Sequence, residues 1–277
     1  MFEYIKYMFN VSKKPLLIWI IAPGLYLMVI PFAFSSGSSL EEIMISKRIA
    51  LEDTLGKNET ILKVFGINDW EKIWTLEGMF SSYFFNLFFP MLIAIATMVF
   101  LNKMSARAEE NGTFEFVAAL PMSRTIIALI HSVVIVTFGV LLGQVWSHLV
   151  YLPLIFMGDS ISQTLEYSSL MTAALQSSLG GVSFAALGYA AGAVSGQSSR
   201  LWLFGIGLLA FEWLSSILSG KMEFFDWYHR HISSFGAYGD PYNDGIILGD
   251  LSLVLIKIFI FLVIGLIGFN NRSLNLR

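Results

Sequence analysis

The stretch LSLVLIKIFIFLVIGLIGF, from Leu251 to Phe269, carries a single charge, Lys257, in an otherwise almost wholly apolar run. As a helix it rises about 1.5 Å per residue and so reaches across a hydrocarbon core about 30 Å thick. Toward the N-terminus, charge-poor runs of comparable length lie at Leu201 to Leu218, Leu170 to Val194, Thr125 to Leu149, Gly78 to Leu101 and Pro15 to Phe34. Composition agrees with that reading. Of 277 residues, 56% are hydrophobic, 15% aromatic and only 13% charged, about half the charged fraction of an ordinary soluble domain. A soluble core of this size cannot hide so much apolar surface, so lipid must cover part of it. The sequence predicts an all-α integral membrane protein with six transmembrane helices, forming a single domain over residues 1–277.

The first run follows Lys13-Lys14 and ends near the small residues Ala33 and Ser35, as a secretory signal does. Its apolar length exceeds the roughly 7 to 15 residues of a signal core, so it reads as a retained helix. With the N-terminus inside, the inner segments hold Lys6, Lys13, Lys14, Lys103, Arg107, Arg124, Arg200, Arg272 and Arg277. The outer ones collect most of the acids, including Glu41, Glu42, Glu52, Asp53, Asp159, Asp240 and Asp244. Basic residues in short loops near span ends set orientation, which favours both termini in the cytoplasm of a multi-pass protein of the plasma (cytoplasmic) membrane. The extracytoplasmic loops are then 35–77, 150–169 and 219–250. The first is polar, mixed in charge and long enough for a small helical cap. The last carries Phe224, Phe225, Trp227, Tyr228, Phe235, Tyr238 and Tyr242 among charges and glycines, which suits an interfacial or re-entrant element before the last span, or a simple aromatic anchor.

Several functions are set aside. Basic residues are too few and too scattered for a nucleic-acid footprint. The absence of cysteine removes thiol catalysis and cysteine-ligated metals. The four histidines, His131, His148, His229 and His231, show no HExxH spacing, and a two-residue step does not make a helical zinc pair. No Ser/His, paired-Asp or metal constellation falls inside the spans, so no catalytic residue and no metal site is assigned.

Charge at bilayer depth is costly and needs an account. Glu212 and Lys257 each sit about six residues inside the outer end of their spans, roughly 9 Å deep. Either they form an ion pair between neighbouring helices, or Lys257 snorkels outward while Glu212 faces a wet cavity. His131, Gln144 and Gln176 read as interhelical hydrogen-bonding groups. The fourth run is rich in small residues, with Gly188, Gly192 and Gly196 at four-residue spacing, and Gly139/Gly143 offers a second such pair in the third. Stripes of this kind let helices approach closely, within one chain or across a dimer.

The functional signal lies between the second and third spans. Residues 102–124 include Glu109-Glu110-Asn111-Gly112-Thr113-Phe114-Glu115-Phe116-Val117-Ala118-Ala119-Leu120-Pro121-Met122-Ser123-Arg124. Gly112 and Thr113 can start a short helix, Glu115 favours its positive N-terminal end and Pro121 stops it, giving two turns. Phe114, Phe116, Val117 and Leu120 make it apolar but far too short to span. It must bury that surface against the protein itself, the interface or a groove on a soluble partner.

The segment from Glu109 to Arg124 resembles the pattern between the second and third spans of the type-2 ATP-binding cassette (ABC) transporter permeases: an acidic-Gly-Thr-x-Glu start, an apolar stretch and a Leu-Pro-x-Ser-Arg end. The six-span layout, an amphipathic segment ahead of the first span and the aromatic element before the last extend the resemblance over nearly the whole chain. In that family the segment is the coupling helix that receives ATP-driven motion from a nucleotide-binding subunit. The resemblance thus implicates Glu109, Glu110, Gly112, Thr113, Phe114, Glu115, Phe116, Val117, Leu120, Pro121, Ser123 and Arg124 in partner binding. Phe114 and Phe116 stand where aliphatic residues are commoner in the family.

No GxxxxGK[ST] run occurs, and Gly56-Lys57-Asn58 lacks the other groups needed to cradle phosphates and magnesium. The chain therefore reads as a non-enzyme without a cofactor of its own, its ATP and Mg belonging to a partner ATPase subunit. The expected assembly adds a second permease copy or paralogue and the lipid bilayer. The resemblance implies export of an amphipathic or hydrophobic substrate such as a peptide, antibiotic or lipid-like molecule. Alternatives are a self-contained secondary transporter, which would place more ionisable groups in broken helices near the midplane, and a non-transporting membrane scaffold.

Overall fold

A computed structural model describes residues 2–34, 39–52, 58–64, 67, 70–157, 165–237 and 239–274. Among these residues six helices are long and apolar enough to cross a membrane: Glu3–Phe32, Leu76–Glu110, Arg124–Phe156, Tyr167–Ser195, Ser198–Leu218 and Leu248–Asn271. Each contains one of the expected runs or most of it, and together they describe a multi-pass, all-helical membrane protein. The start of the first of these helices and the end of the last lie on one face of the bundle, called the terminal face below; the opposite one is the loop face.

The first span is α1, Phe2–Ala33, with Pro15, Pro23 and Pro31 inside it. Residues 2–14, expected as a separate amphipathic segment, are continuous with the span, because the helix runs unbroken through Lys13, Lys14 and Pro15. Proline inside a spanning helix is tolerated when neighbours satisfy the freed carbonyls. On the loop side follow α2 (Ser39–Leu51) and α3 (Glu59–Val64), parts of the expected cap; residues 35–38, 53–57, 65–66 and 68–69 of that loop lie outside the described residues.

The second span is composite. Thr75 caps α4 (Leu76–Met79) by accepting from Gly78 N at 3.0 Å. A π-helical stretch, Phe80–Phe88, comes next, and then α5, Phe89–Met104. Phe89 N donates five residues back to the Phe84 carbonyl, and Pro90, the next residue, has no N–H to give. The wider turn fans out Phe80, Phe84, Phe85 and Phe89, whose rings pack edge-on or tilted at 5.0–6.1 Å, with Phe89 meeting buried Trp146 of the third span.

After α6 (Ala106–Glu110) and α7 (Glu115–Ala118) the third span is α8, Arg124–Phe156. The fourth, α9 (Tyr167–Ser195), forms the centre of the bundle, packed by the second, third, fifth and sixth spans. Its small residues explain how four neighbours fit. A Cβ on Gly188 would meet the Leu201 carbonyl at 2.9 Å, and one on Gly192 would meet Leu201 Cβ at 3.1 Å. Gly139 and Gly143 face Val182 and Ser178 of the fourth span. These glycines therefore serve contacts within the chain. Gly196 differs: with φ of 69° it is the left-handed residue that ends α9.

The fifth span is α10, Ser198–Leu218. The chain then turns back as the amphipathic α11 (Glu223–His231) and the single turn α12 (Ser234–Ala237) before the last span, α13 (Leu248–Asn271). Phe224 and Trp227 of α11 are exposed, whereas Phe225 and Tyr228 lie against Phe211 of the fifth span. Tyr242 anchors the following loop by accepting from Glu166 N at 3.0 Å; Tyr238 and residues 158–164 are outside the described residues.

Candidate functional site

On the terminal face, the segment singled out by its sequence is braced by the ends of three spans. Glu109 is buried and forms a two-pronged ion pair with Arg272 at the end of the last span. The Arg272 Nε also donates to the Ala193 carbonyl at 2.5 Å, and its guanidinium sits 5.6 Å from the Phe269 ring. Arg124 Nη1 donates to the Arg272 carbonyl at 2.8 Å. Glu110 accepts from Ser198 N at 2.7 Å, the opening residue of the fifth span, where a carboxylate suits the helix dipole.

Within this frame the chain folds tightly. Gly112 takes φ of 73° and Thr113 Oγ1 donates to the Ala108 carbonyl at 3.1 Å. The helix that follows spans only Glu115–Ala118, one turn rather than the two expected. The Ser123 hydroxyl caps the third span by accepting from Ile126 N at 3.3 Å. Three residues expected to dock a partner, Glu109, Phe114 and Val117, are buried inside the chain, Phe114 edge-on to Phe269 at 5.8 Å. Glu115, Phe116, Pro121, Ser123 and Arg124 face outward, and Leu120 is half-buried. Phe116 is 73% exposed. Beside it, a recess of about 180 Å³ opens between the first turns of α1 and α7, lined by Glu3, Tyr4, Tyr7, Phe116, Val117 and Leu120.

The second cluster lies toward the loop face. Glu212 is 0% exposed and pairs with Lys257 across the fifth and sixth spans. The Lys257 ammonium spends its other two protons on Ser234 Oγ at 2.7 Å and the Ile232 carbonyl at 3.1 Å. Glu212 also accepts from Ser234 N at 2.6 Å, Ser233 Oγ at 3.3 Å and the Tyr228 hydroxyl at 3.4 Å. Burial and the neighbouring carboxylate push the Tyr228 phenol well above its usual pKa, so it stays a donor. Ser234 Oγ reaches Ser183 of the fourth span at 3.0 Å, and the Phe235 ring packs tilted against Phe184 at 5.4 Å. The connection between the last two spans thus dips back to the level of Glu212. Every donor on Lys257 is matched, which marks the cluster as a staple fixing that connection.

Other polar groups behave unevenly. His131 Nε2 lies 2.6 Å from the Tyr4 hydroxyl, and Gln144 Nε2 donates to the Met171 carbonyl at 3.2 Å, both between helices. Gln176 departs from expectation: its amide is buried with no hydrogen-bond partner among the described residues. No group of three or more His, Cys, Asp or Glu that could hold a metal is found among the described residues. Sequence reading missed the Glu109–Arg272 pair, since both residues sit among ordinary polar neighbours.

Comparison with protein-family models, with curated proteins and with solved structures gave no match.

Proposed function

We propose that this chain is the membrane-spanning subunit of an ABC exporter, with its terminal face in the cytoplasm and Phe116 as the contact through which a separate ATPase subunit acts. The observation that carries the reading is the placement of Phe116. A large aromatic side chain stands exposed on a one-turn helix, beside an apolar recess, in a loop held to the span ends by an ion pair and two hydrogen bonds. A passive surface loop has no need of such bracing. A loop that must carry force does, because displacement of α7 passes through Glu109–Arg272 to the last span and through Glu110 to the fifth. The resemblance of residues 109–124 to a coupling segment supplies the partner class. Exposed aromatic residues of this kind are frequent anchors of protein interfaces.

In this reading ATP and Mg are held by the partner, two permease subunits flank a shared path, and the cargo is an amphipathic or hydrophobic molecule. The test is co-expression with a P-loop ATPase encoded beside this chain, followed by purification in detergent. Co-purification with stimulated ATPase activity is expected for wild type, and Phe116→Asp abolishes both. Failure of wild type to retain any ATPase overturns the assignment in favour of a secondary transporter or scaffold.

A further inference from the structure

On the loop face a cavity of about 310 Å³ lies between α3, the π-helical part of the second span, the outer end of the fifth span and the α11–α12 turn. That volume is at the lower end of the range for small-molecule sites, about 300–1,000 Å³. We propose that it binds a small zwitterion with an apolar body, of the size and chemistry of a single aromatic amino acid. The inference stands apart from the export reading and does not need it.

Charge is the first argument. Lys63 and Asp240 both line the cavity, and neither belongs to an ion pair among the described residues. Among the described residues Lys63 Nζ makes one long hydrogen bond, 3.4 Å to the Ser219 carbonyl, leaving donors to spare there. Asp240 accepts from Asn243 N at 3.3 Å and Asn243 Nδ2 at 2.6 Å, which fixes the carboxylate while each oxygen keeps a lone pair. Opposite charges held in one cavity without neutralising each other fit a ligand that brings the complementary pair, a carboxylate for Lys63 and an ammonium for Asp240. A ligand with a single charge leaves one of them unanswered.

The walls supply the rest. Trp213, Leu87 and Phe235 offer apolar surface for the body of the ligand. His229 adds a ring nitrogen, Nδ1, buried and without a partner among the described residues. Burial holds that imidazole below its usual pKa, with Asp226 partly opposing, so near neutrality it is an uncharged hydrogen-bonding group.

The site is also built rather than accidental. Trp213 Nε1 donates to the Val64 carbonyl at 3.0 Å, and Lys221 Nζ reaches Thr60 Oγ1 at 2.6 Å; together they clamp α3, and with it Lys63, onto the fifth span and the turn that follows it. Gly236 is packed so tightly on the His229 carbonyl that no side chain fits there, which sets His229 and Phe235 side by side. Beneath them, the Glu212–Lys257 staple holds Ser233 and Ser234 in place.

The test is titration of the purified full chain with three probes of one shape: phenylalanine, phenylacetate and phenethylamine. Saturable binding of phenylalanine, tighter than either singly charged probe, is expected. Lys63→Gln should weaken phenylalanine and phenylacetate about tenfold while sparing phenethylamine, since a charged hydrogen bond is lost. Asp240→Asn should spare phenylacetate and weaken the other two. Ser216→Leu, which fills the cavity without touching either charge, should remove all binding. Phenylalanine binding that is absent, no tighter than the single-charge probes, or lowered for all three probes alike by Lys63→Gln overturns the proposal.

Discussion

Two buried ion pairs tie the last span to the rest of the molecule, and they differ in how they are made. Near the loop face, Lys257 meets Glu212 inside two apolar helices, with every proton of the ammonium accounted for. On the terminal face, Arg272 meets Glu109 where helices end, and the arrangement depends on a glycine. A Cβ on Gly196 would lie 2.8 Å from Arg272 Nη1 and 3.0 Å from Glu109 Oε1. The first pair closes a connection deep in the bundle. The second joins the exposed α7 loop to the spans and leaves its surface free. One is a fixed staple, and under the proposed function the other lies on the route by which a partner would move the helices.

The largest effect that can break this contrast is at Lys257. Replacing it with Met strands a buried carboxylate and should cost about 3–5 kcal/mol, read as a large fall in thermal midpoint in detergent. Adding Glu212→Met should recover part of that loss. Exchanging the two charges should recover less, because it aims an ammonium at Ser234 N–H and a carboxylate at the Ile232 carbonyl. Full rescue by the exchange would show that the backbone contacts carry no weight.

On the terminal face the expected losses are smaller. Arg272→Lys keeps the charge but gives up the two-pronged bond and the Ala193 contact, for about 1–3 kcal/mol. Limited proteolysis should then cut within residues 105–124 faster than in wild type; an unchanged rate would detach that loop from Arg272. Gly196→Ala should lose about 1–2 kcal/mol through its left-handed backbone alone, with further crowding of the ion pair visible as the same proteolytic loosening. Phe116→Asp sharpens the comparison from the other side. A residue as exposed as Phe116 should shift stability by no more than about 0.5 kcal/mol, so any loss of ATPase association it causes is a loss of contact and not of fold.

The same contrast shows what was legible in the sequence. Glu212 and Lys257 stood out because each interrupts an apolar run, and charge in such a place needs a partner. Glu109 and Arg272 sit among other polar residues at the ends of spans, where nothing in composition separates a buried charge from a solvated one. The spans were legible for the same reason as Glu212, since length and apolarity are local properties. Their ends were not. The first helix continues through Lys13, Lys14 and Pro15 because a helix that has left the hydrocarbon can go on at headgroup level with its charges hydrated. The short length of α7 was also hidden: Phe114 turns inward onto Phe269, a contact from the far end of the chain. The loop-face cavity draws on α3, the second span, the fifth span and the α11–α12 turn, so no single stretch carries its signature.

The claim that Phe116 is where an ATPase subunit engages this chain can be tested by crosslinking. The protein contains no cysteine, so Phe116→Cys carries its only thiol. A thiol-to-amine reagent should capture the co-expressed ATPase from Phe116→Cys, and not from Phe224→Cys, which is equally a surface aromatic but on the loop face. Capture confined to position 116 is the predicted result. A folded Phe116→Cys protein that captures no ATPase, or captures it no better than Phe224→Cys, would contradict the account.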